Sequence, residues 1–317
     1  MRFRQIALTQ QMVAILLGLF ESRVMSSLHV AAFRFAGRRE AAKKAIQSLK
    51  VLGLIAARPL NSTEPHVLSL TPTGIHLLSE RGFLKDYPAL SRGRLFQRSR
   101  VSELTLRHEL FVMDVKVAFV TALPAVVAEF TTWPALVEFT AALPNEPTRI
   151  VKPDGFFRLR DGGMEHAFFL EVDRSTEKLD ILVSRLRRYV AFYKAGGFAA
   201  RCGSHPSEFA AHPFRVLVVL ESEERRNNVA EALVRGFPPV LTQVWLSTRV
   251  EVCAAPLSPC WIRPVDYRDA TATMPEIRPA WDGRYRRDRV REARIAAVIR
   301  RHALIDASQT SCGLQAA

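Results

Sequence analysis

The sequence predicts an α/β protein of two domains: a small helical domain closed by a hairpin, then a larger domain in which helices flank a mixed sheet. Three observations carry that expectation. Residues 1–87 show helical periodicity that gives way to two short apolar runs around a turn, followed by one more helical pattern. From residue 102 onward, helical patterns alternate with β-branched and aromatic runs in the order αβββαβαβ. The chain has 317 residues, 48% of them hydrophobic, and can bury two cores.

Thr9 suits the N-cap of a helix carrying Val13, Leu16, Leu17 and Phe20 at helical spacing. A shorter helix is expected over Ser26 to Phe33. Gly37 breaks it, and "RREAAKKAIQSLKVLGLIAARPL" then sets Ala42, Ile46, Leu49 and Leu52 on one helical face. Arg38, Arg39, Lys43, Lys44, Gln47 and Lys50 occupy much of the remaining surface. Gly53 suits the helix end, Leu54–Ile55 begin a strand, "NSTEPH" turns, and "VLSLT" returns as a second strand. Pro72 and Thr73 open a closing helix with Ile75, Leu77 and Leu78. The succession "AIQSLKVLGLI" then "LSLTPTGIHLL" resembles the recognition helix, wing and trailing helix of the winged helix-turn-helix DNA-binding class. The resemblance implies that Arg38, Arg39, Lys43, Lys44, Gln47 and Lys50 meet DNA.

Charge points the same way. The formal net charge is +14, which favours a polyanionic partner, double-stranded DNA first. Between Met1 and Arg58, ten Lys/Arg face two acids, Glu21 and Glu40, an excess suited to phosphate contact. A membrane surface would call for a basic amphipathic helix or a lipid signal, and no lipidation motif is present. The apolar run Met12 to Phe20 is too short to span a bilayer, and no small-residue cleavage pattern follows it. Four cysteines without paired C-x-x-C spacing read as reduced thiols of a cytoplasmic protein. Cys202, His205 and His212 are spaced too irregularly to predict zinc. "DYPALSRGRLFQRSR" reads as a basic linker. Residues 284–301, with eight arginines and two acids, read as a solvated basic helix or tail.

In the larger domain, Glu103 to Leu123 is expected to be helical and "VVAEFTTW" to be a strand. "RIVKPDGFFRLR" is a second strand that turns at "DGG" into a third, "HAFFLEVD". A helix over Glu177 to Tyr193, the buried strand "FRVLVVLE", a helix over Glu223 to Arg235 and the strand "TQVWLST" complete the pattern. Strand alternation puts Phe169, Glu171 and Asp173 on one face, with Phe168, Leu170 and Val172 on the other. Asp154 lies on the neighbouring strand, with Lys152 two residues before it. Carboxylates that converge at a sheet end repel unless a cation neutralises them. A hard cation such as Mg²⁺, held by one or two of the carboxylates, would do so and could activate water against a phosphodiester. Arg174, Arg185 or Arg188 would also do so, as structural ion pairs with Glu171 and Asp173.

Pro153-Asp154 followed by Glu171-Val172-Asp173, in this element order, resembles the PD-(D/E)XK nuclease-like superfamily. A winged helix followed by "LRHELFVMDVKVAF", "KPDGFF" and "FFLEVDRSTEKLDILVSRLRRY" is similar to the replication-relaxation proteins of plasmids and integrated mobile elements. The resemblance implies metal ligands at Asp154 and Glu171, joined by Glu109 from the first helix of the domain. It implies a catalytic set of Asp154, Glu171, Asp173, Lys152 and Lys178. The superfamily ordinarily has lysine two residues after the glutamate. Asp173 stands there instead, which leaves Lys152, Lys178 or Arg185 to supply the cation, although arginine is a poor general base. The expected organisation is a winged helix-turn-helix over 1–87, a linker over 88–101, a nuclease-like domain over 102–265 and an Arg-rich extension over 266–317. The expected function is that of a DNA-binding accessory or regulatory protein of a plasmid or mobile element with a degenerate nuclease-like domain. A metal-dependent deoxyribonuclease and a protein scaffold stay open as alternatives, as do a homodimer and partnership with other replication or mobilisation proteins.

Overall fold

Thr9 caps the first helix as its sequence suggests, its hydroxyl accepting the Met12 amide at 3.2 Å. The computed structural model describes residues 7–61, 64–85, 87, 93, 95, 101–122, 126–161, 163–272 and 289–305. Most of the expected linker and much of the expected Arg-rich extension lie outside the described residues. By its internal contacts the chain divides into one unit of Met1–Pro124 with Phe130–Leu136 and a second of Ala125–Glu129 with Val137–Ala317.

The first unit runs α1 (Gln10–Ser22), β1 (Val24–Ser26), α2 (Ser27–Phe35), α3 (Arg39–Val51), β2 (Ile55–Arg58), β3 (Val67–Leu70), α4 (Pro72–Glu80) and α5 (Glu103–Ala122). Ser26 and His29 form a capping box at the start of α2, which sets that helix one residue later than expected and leaves room for β1. Ala36 and Gly37 take left-handed backbone angles, φ 47° and 80°, and turn the chain from α2 into α3. The three strands pair antiparallel in the order β1-β3-β2. Ile15, Leu16, Leu19 and Phe20 of α1 pack with Ile46 and Leu49 of α3 and with Leu68, Ile75 and Leu78. Helix α5, expected to open the second domain, belongs to this first unit. Its Leu106 clusters with Val24 and Val67, its Met113 joins the core of α1 and α3, and its Asp114 bonds His29 at 2.7 Å.

The second unit contains the first three residues of β4 (Val127–Thr131), then β5 (Phe139–Ala141), β6 (Arg149–Val151), β7 (Gly155–Asp161), β8 (Met164–Asp173), α6 (Leu179–Lys194) and α7 (Gly197–Arg201). It continues through β9 (Phe214–Leu220), α8 (Glu223–Arg235), β10 (Val244–Thr248), α9 (Arg249–Ala254), α10 (Pro264–Ala272) and α11 (Arg289–Val298). A mixed five-stranded sheet has the order β10-β9-β8-β7-β4. Strands β8, β9 and β10 run parallel, and β7 is antiparallel to β8. Phe156, Phe169, Phe214, Val216 and Val218 on one sheet face bury against Leu182, Leu186 and Tyr189 of α6. At about 25 cal/mol per Å² of apolar surface, such an aromatic layer is the main force holding helix to sheet.

Three sequence expectations need correction here. The strand expected over "RIVKPDGFFRLR" is two strands: β6 pairs with β5 in a separate small sheet, and β7 begins only at Gly155. Pro153 lies in the gap, where it offers no amide to a ladder. Helix α6 starts at Leu179, so Glu177 and Lys178 lie in the preceding loop. The start of the expected Arg-rich extension is structured, since residues 266–272 belong to α10, which packs on α8. Part of the expected solvated extension is built in as well: Ile295 and Ile299 join the core of the second unit, and His302 bridges to Trp261.

Candidate functional site

The structure brings Asp154 beside Glu171, with Asp173 two residues further along β8. Asp154 immediately precedes β7; its amide donates to the Leu170 carbonyl at 3.0 Å and its Oδ2 accepts the Val172 amide at 2.8 Å. Its side chain is thereby tied to the β8 backbone beside Glu171. Glu171 is 1% exposed. One of its oxygens accepts the Tyr189 hydroxyl and the other accepts Arg185 Nη1 at 2.8 Å. Arg185 and Tyr189 are one turn apart on α6, so one helical face delivers both donors. The second Nη of Arg185 reaches Glu177 in the loop before the helix. Asp173, two residues along β8, accepts Arg225 Nε at 2.7 Å, and Arg225 Nη2 donates to the Glu177 carbonyl at 2.7 Å. Arg225 is held in the first turn of α8, where Ser222 caps its amide at 3.2 Å.

The result is a linked cluster in which Arg185 joins Glu171 to the Glu177 carboxylate and Arg225 joins Asp173 to the Glu177 backbone, clasping the loop between β8 and α6. Ser175 sits in that loop at φ 60°, a left-handed turn that brings Glu177 back toward the sheet. Burial, then the Asp154 charge beside it, pushes the Glu171 carboxyl up to about 7 against the opposing pull of Arg185 and Tyr189. Burial raises the Tyr189 hydroxyl well above its ordinary value, as does the Glu171 charge. Arg185 stays charged: burial opposes it, but Glu171, Glu177 and Asp154 more than compensate.

This donor set does not fit a divalent ion. Both oxygens of Glu171 already accept hydrogen bonds, one from a guanidinium that stands where a cation would neutralise the pair. Among the described residues, no group of three or more His, Cys, Asp or Glu side chains is arranged to hold a metal. Glu109, the expected third ligand, belongs to the first unit, where it pairs with Arg23 at 3.3 Å. Lys152 and Lys178 are exposed. Arg188, one of the arginines expected on Glu171 or Asp173, turns to Ser184 at 2.6 Å and to Glu146. The sequence pattern left Tyr189 and Glu177 without a role and missed Arg225 altogether. Tyr189 was recoverable from its four-residue spacing to Arg185, whereas Arg225 arrives from a helix beyond the next strand.

The other candidate surface is α3. Ala42, Ile46 and Leu49 are buried, and Arg38, Arg39, Lys43, Lys44, Gln47 and Lys50 are all exposed. Among the described residues, no carboxylate pairs with any of these five cations. Arg39, Lys43, Gln47 and Lys50 border a cavity of about 340 Å³ whose lining includes Ala57, His66 and Leu68 of the hairpin.

Taken together, these features define a mixed α/β protein with one strongly basic helical surface and one acid cluster neutralised from within. The chain belongs to the replication-relaxation family, whose model matches residues 16–207, more than half of its length. Membership implies a role in the replication or mobilisation of plasmids and mobile elements. No curated protein and no solved structure matches the chain. Among the described residues, no helix is long and apolar enough to cross a membrane.

Proposed function

We propose that the protein is a DNA-binding accessory factor of plasmid or mobile-element replication, with a winged helix-turn-helix in its first unit. In this reading its second unit is a PD-(D/E)XK-like domain that binds without cutting. The observation that carries the reading is α3 with its N-cap: one face is buried in the core, and the other offers five exposed cations, none of them in an ion pair among the described residues, beside a single acid, Glu40. The order β1-β3-β2 around α2 and α3, with three residues turning one helix into the next, supports the helix-turn-helix. The acid cluster supports an inactive nuclease-like domain, because Arg185 neutralises Glu171 and cannot serve as a general base.

The test is DNA binding measured across a salt series, with Lys43→Ala/Lys44→Ala beside the unsubstituted protein. Two lost phosphate contacts should lower the slope of log affinity against log salt by about two. An unchanged slope removes both lysines from the interface. The nuclease alternative is met by incubating supercoiled and linear DNA with Mg²⁺ or Mn²⁺. Cleavage that disappears in Asp154→Ala and Glu171→Ala would overturn the accessory reading.

A further inference from the structure

On the sheet face opposite the acid cluster, Arg215 packs on two aromatic rings while its hydrogen-bond donors stay unused among the described residues. It stands at the start of β9, level with Phe168 of β8, on the same face as Leu170, Leu217 and Trp245. Its guanidinium carbon lies 4.8 Å from the Trp245 ring centroid and 5.9 Å from that of Phe168. Cation–π contact with both rings fixes the plane of the side chain and leaves its donors to the edges. Among the described residues, none of those donors meets an acceptor and no carboxylate pairs with it, yet none of its nitrogens is sealed from solvent.

Arg263 lies close enough that its charge, after burial, lowers the Arg215 guanidinium further. Arg215 in turn joins burial in lowering His166, against the pull of Asp161. Asp266 is already engaged: it accepts Arg263 at 2.9 Å and pairs with His302 at 2.9 Å. His302 also packs its ring 5.3 Å from Trp245. A half-buried guanidinium near Arg263, with no counter-ion among the described residues, is costly, and an incoming anion would relieve that cost.

We propose that Arg215 is a phosphate-binding residue, its planar fork held on Trp245 and Phe168 so that it grips two oxygens of a nucleic-acid phosphate. A carboxylate on an acidic protein fits the same fork. The net charge of +14 favours the phosphate backbone. The proposal rests on the protein binding DNA, but on a different surface from α3.

The experiment titrates a labelled duplex of random sequence across a salt series with the full chain, Arg215→Ala and Arg215→Lys, each checked by circular dichroism. Arg215→Ala should weaken binding, and the slope of log affinity against log salt should fall by about 0.9 for one lost phosphate contact. Arg215→Lys keeps a cation over the rings and loses the fork, so it should bind less tightly than the unsubstituted protein. It decides the matter if the alanine variant does not fold. Unchanged affinity and slope in a folded Arg215 variant, while Lys43→Ala/Lys44→Ala weakens binding, overturns this proposal and leaves the α3 reading standing. No DNA binding by the unsubstituted chain overturns both. If Arg215→Ala loses binding to polyglutamate and none to DNA, the ligand is an acidic protein and the phosphate assignment falls.

Discussion

At the scale of single residues, Glu171 is the most informative position in the molecule. A carboxylate that is 1% exposed would be intolerable alone, and it is held by one phenol, one guanidinium and its own proton equilibrium. Its carboxyl is raised from 4.5 to about 7 on folding, so the native state favours the protonated form. The stability this group contributes is complete below pH 4.5 and is lost as pH rises through about 7. Glu171→Gln keeps the shape and removes the titration. The stability of the unsubstituted protein relative to Glu171→Gln should therefore decline by about 3 kcal/mol across that window, read by urea unfolding at several pH values. Parallel pH profiles for the two proteins would show that Glu171 does not titrate there. The sequence placed Glu171 and Asp173 on one face of a strand correctly, because strand alternation is local. Which arginine each would find was beyond it: Arg185 and Arg225 arrive through the packing of two separate helices on the sheet.

Among the elements, α6 does the most to shape the site, since it carries Arg185 and Tyr189 and buries Leu182 and Leu186 below them. Its exit is as constrained as its entry. Gly196 sits at φ 72° between α6 and α7, and a Cβ there would lie 2.2 Å from the Pro206 carbonyl oxygen. Gly196→Ala should cost about 2 kcal/mol or more, seen as a lower thermal midpoint. A midpoint within error of the unsubstituted protein would mean that the loop at Pro206 yields freely. Helix α3 was legible residue by residue, since a 3.6-residue period divides core from solvent without help from the rest of the chain. The interruption after β6 was legible only in part: Pro153 was visible, but pairing of β6 with β5 depends on a short strand too weak to recognise by pattern.

For the whole molecule, the family match and the sheet have different extents. The match ends at residue 207, and β9 and β10 follow it. Strand β8 pairs with β9 over its whole buried half, from Ala167 opposite Phe214 to Asp173 opposite Leu220. A fragment ending at residue 207 would leave that edge and the aromatic layer around Phe169 uncovered. It should bind a hydrophobic dye and melt without cooperativity. A cooperative transition in that fragment would show that the family region folds without β9 and β10. The sequence by itself determined the two-part α/β organisation, the basic face of α3 and the strand face that bears Glu171 and Asp173, all of which follow from short-range period and composition. Only the tertiary structure decided that α5 packs with the first unit, that Arg185 and Arg225 neutralise the acids, and that Arg215 lies stacked with no counter-ion among the described residues. Those outcomes depend on which distant helices and strands compete for the same buried surface, and no local pattern encodes that competition.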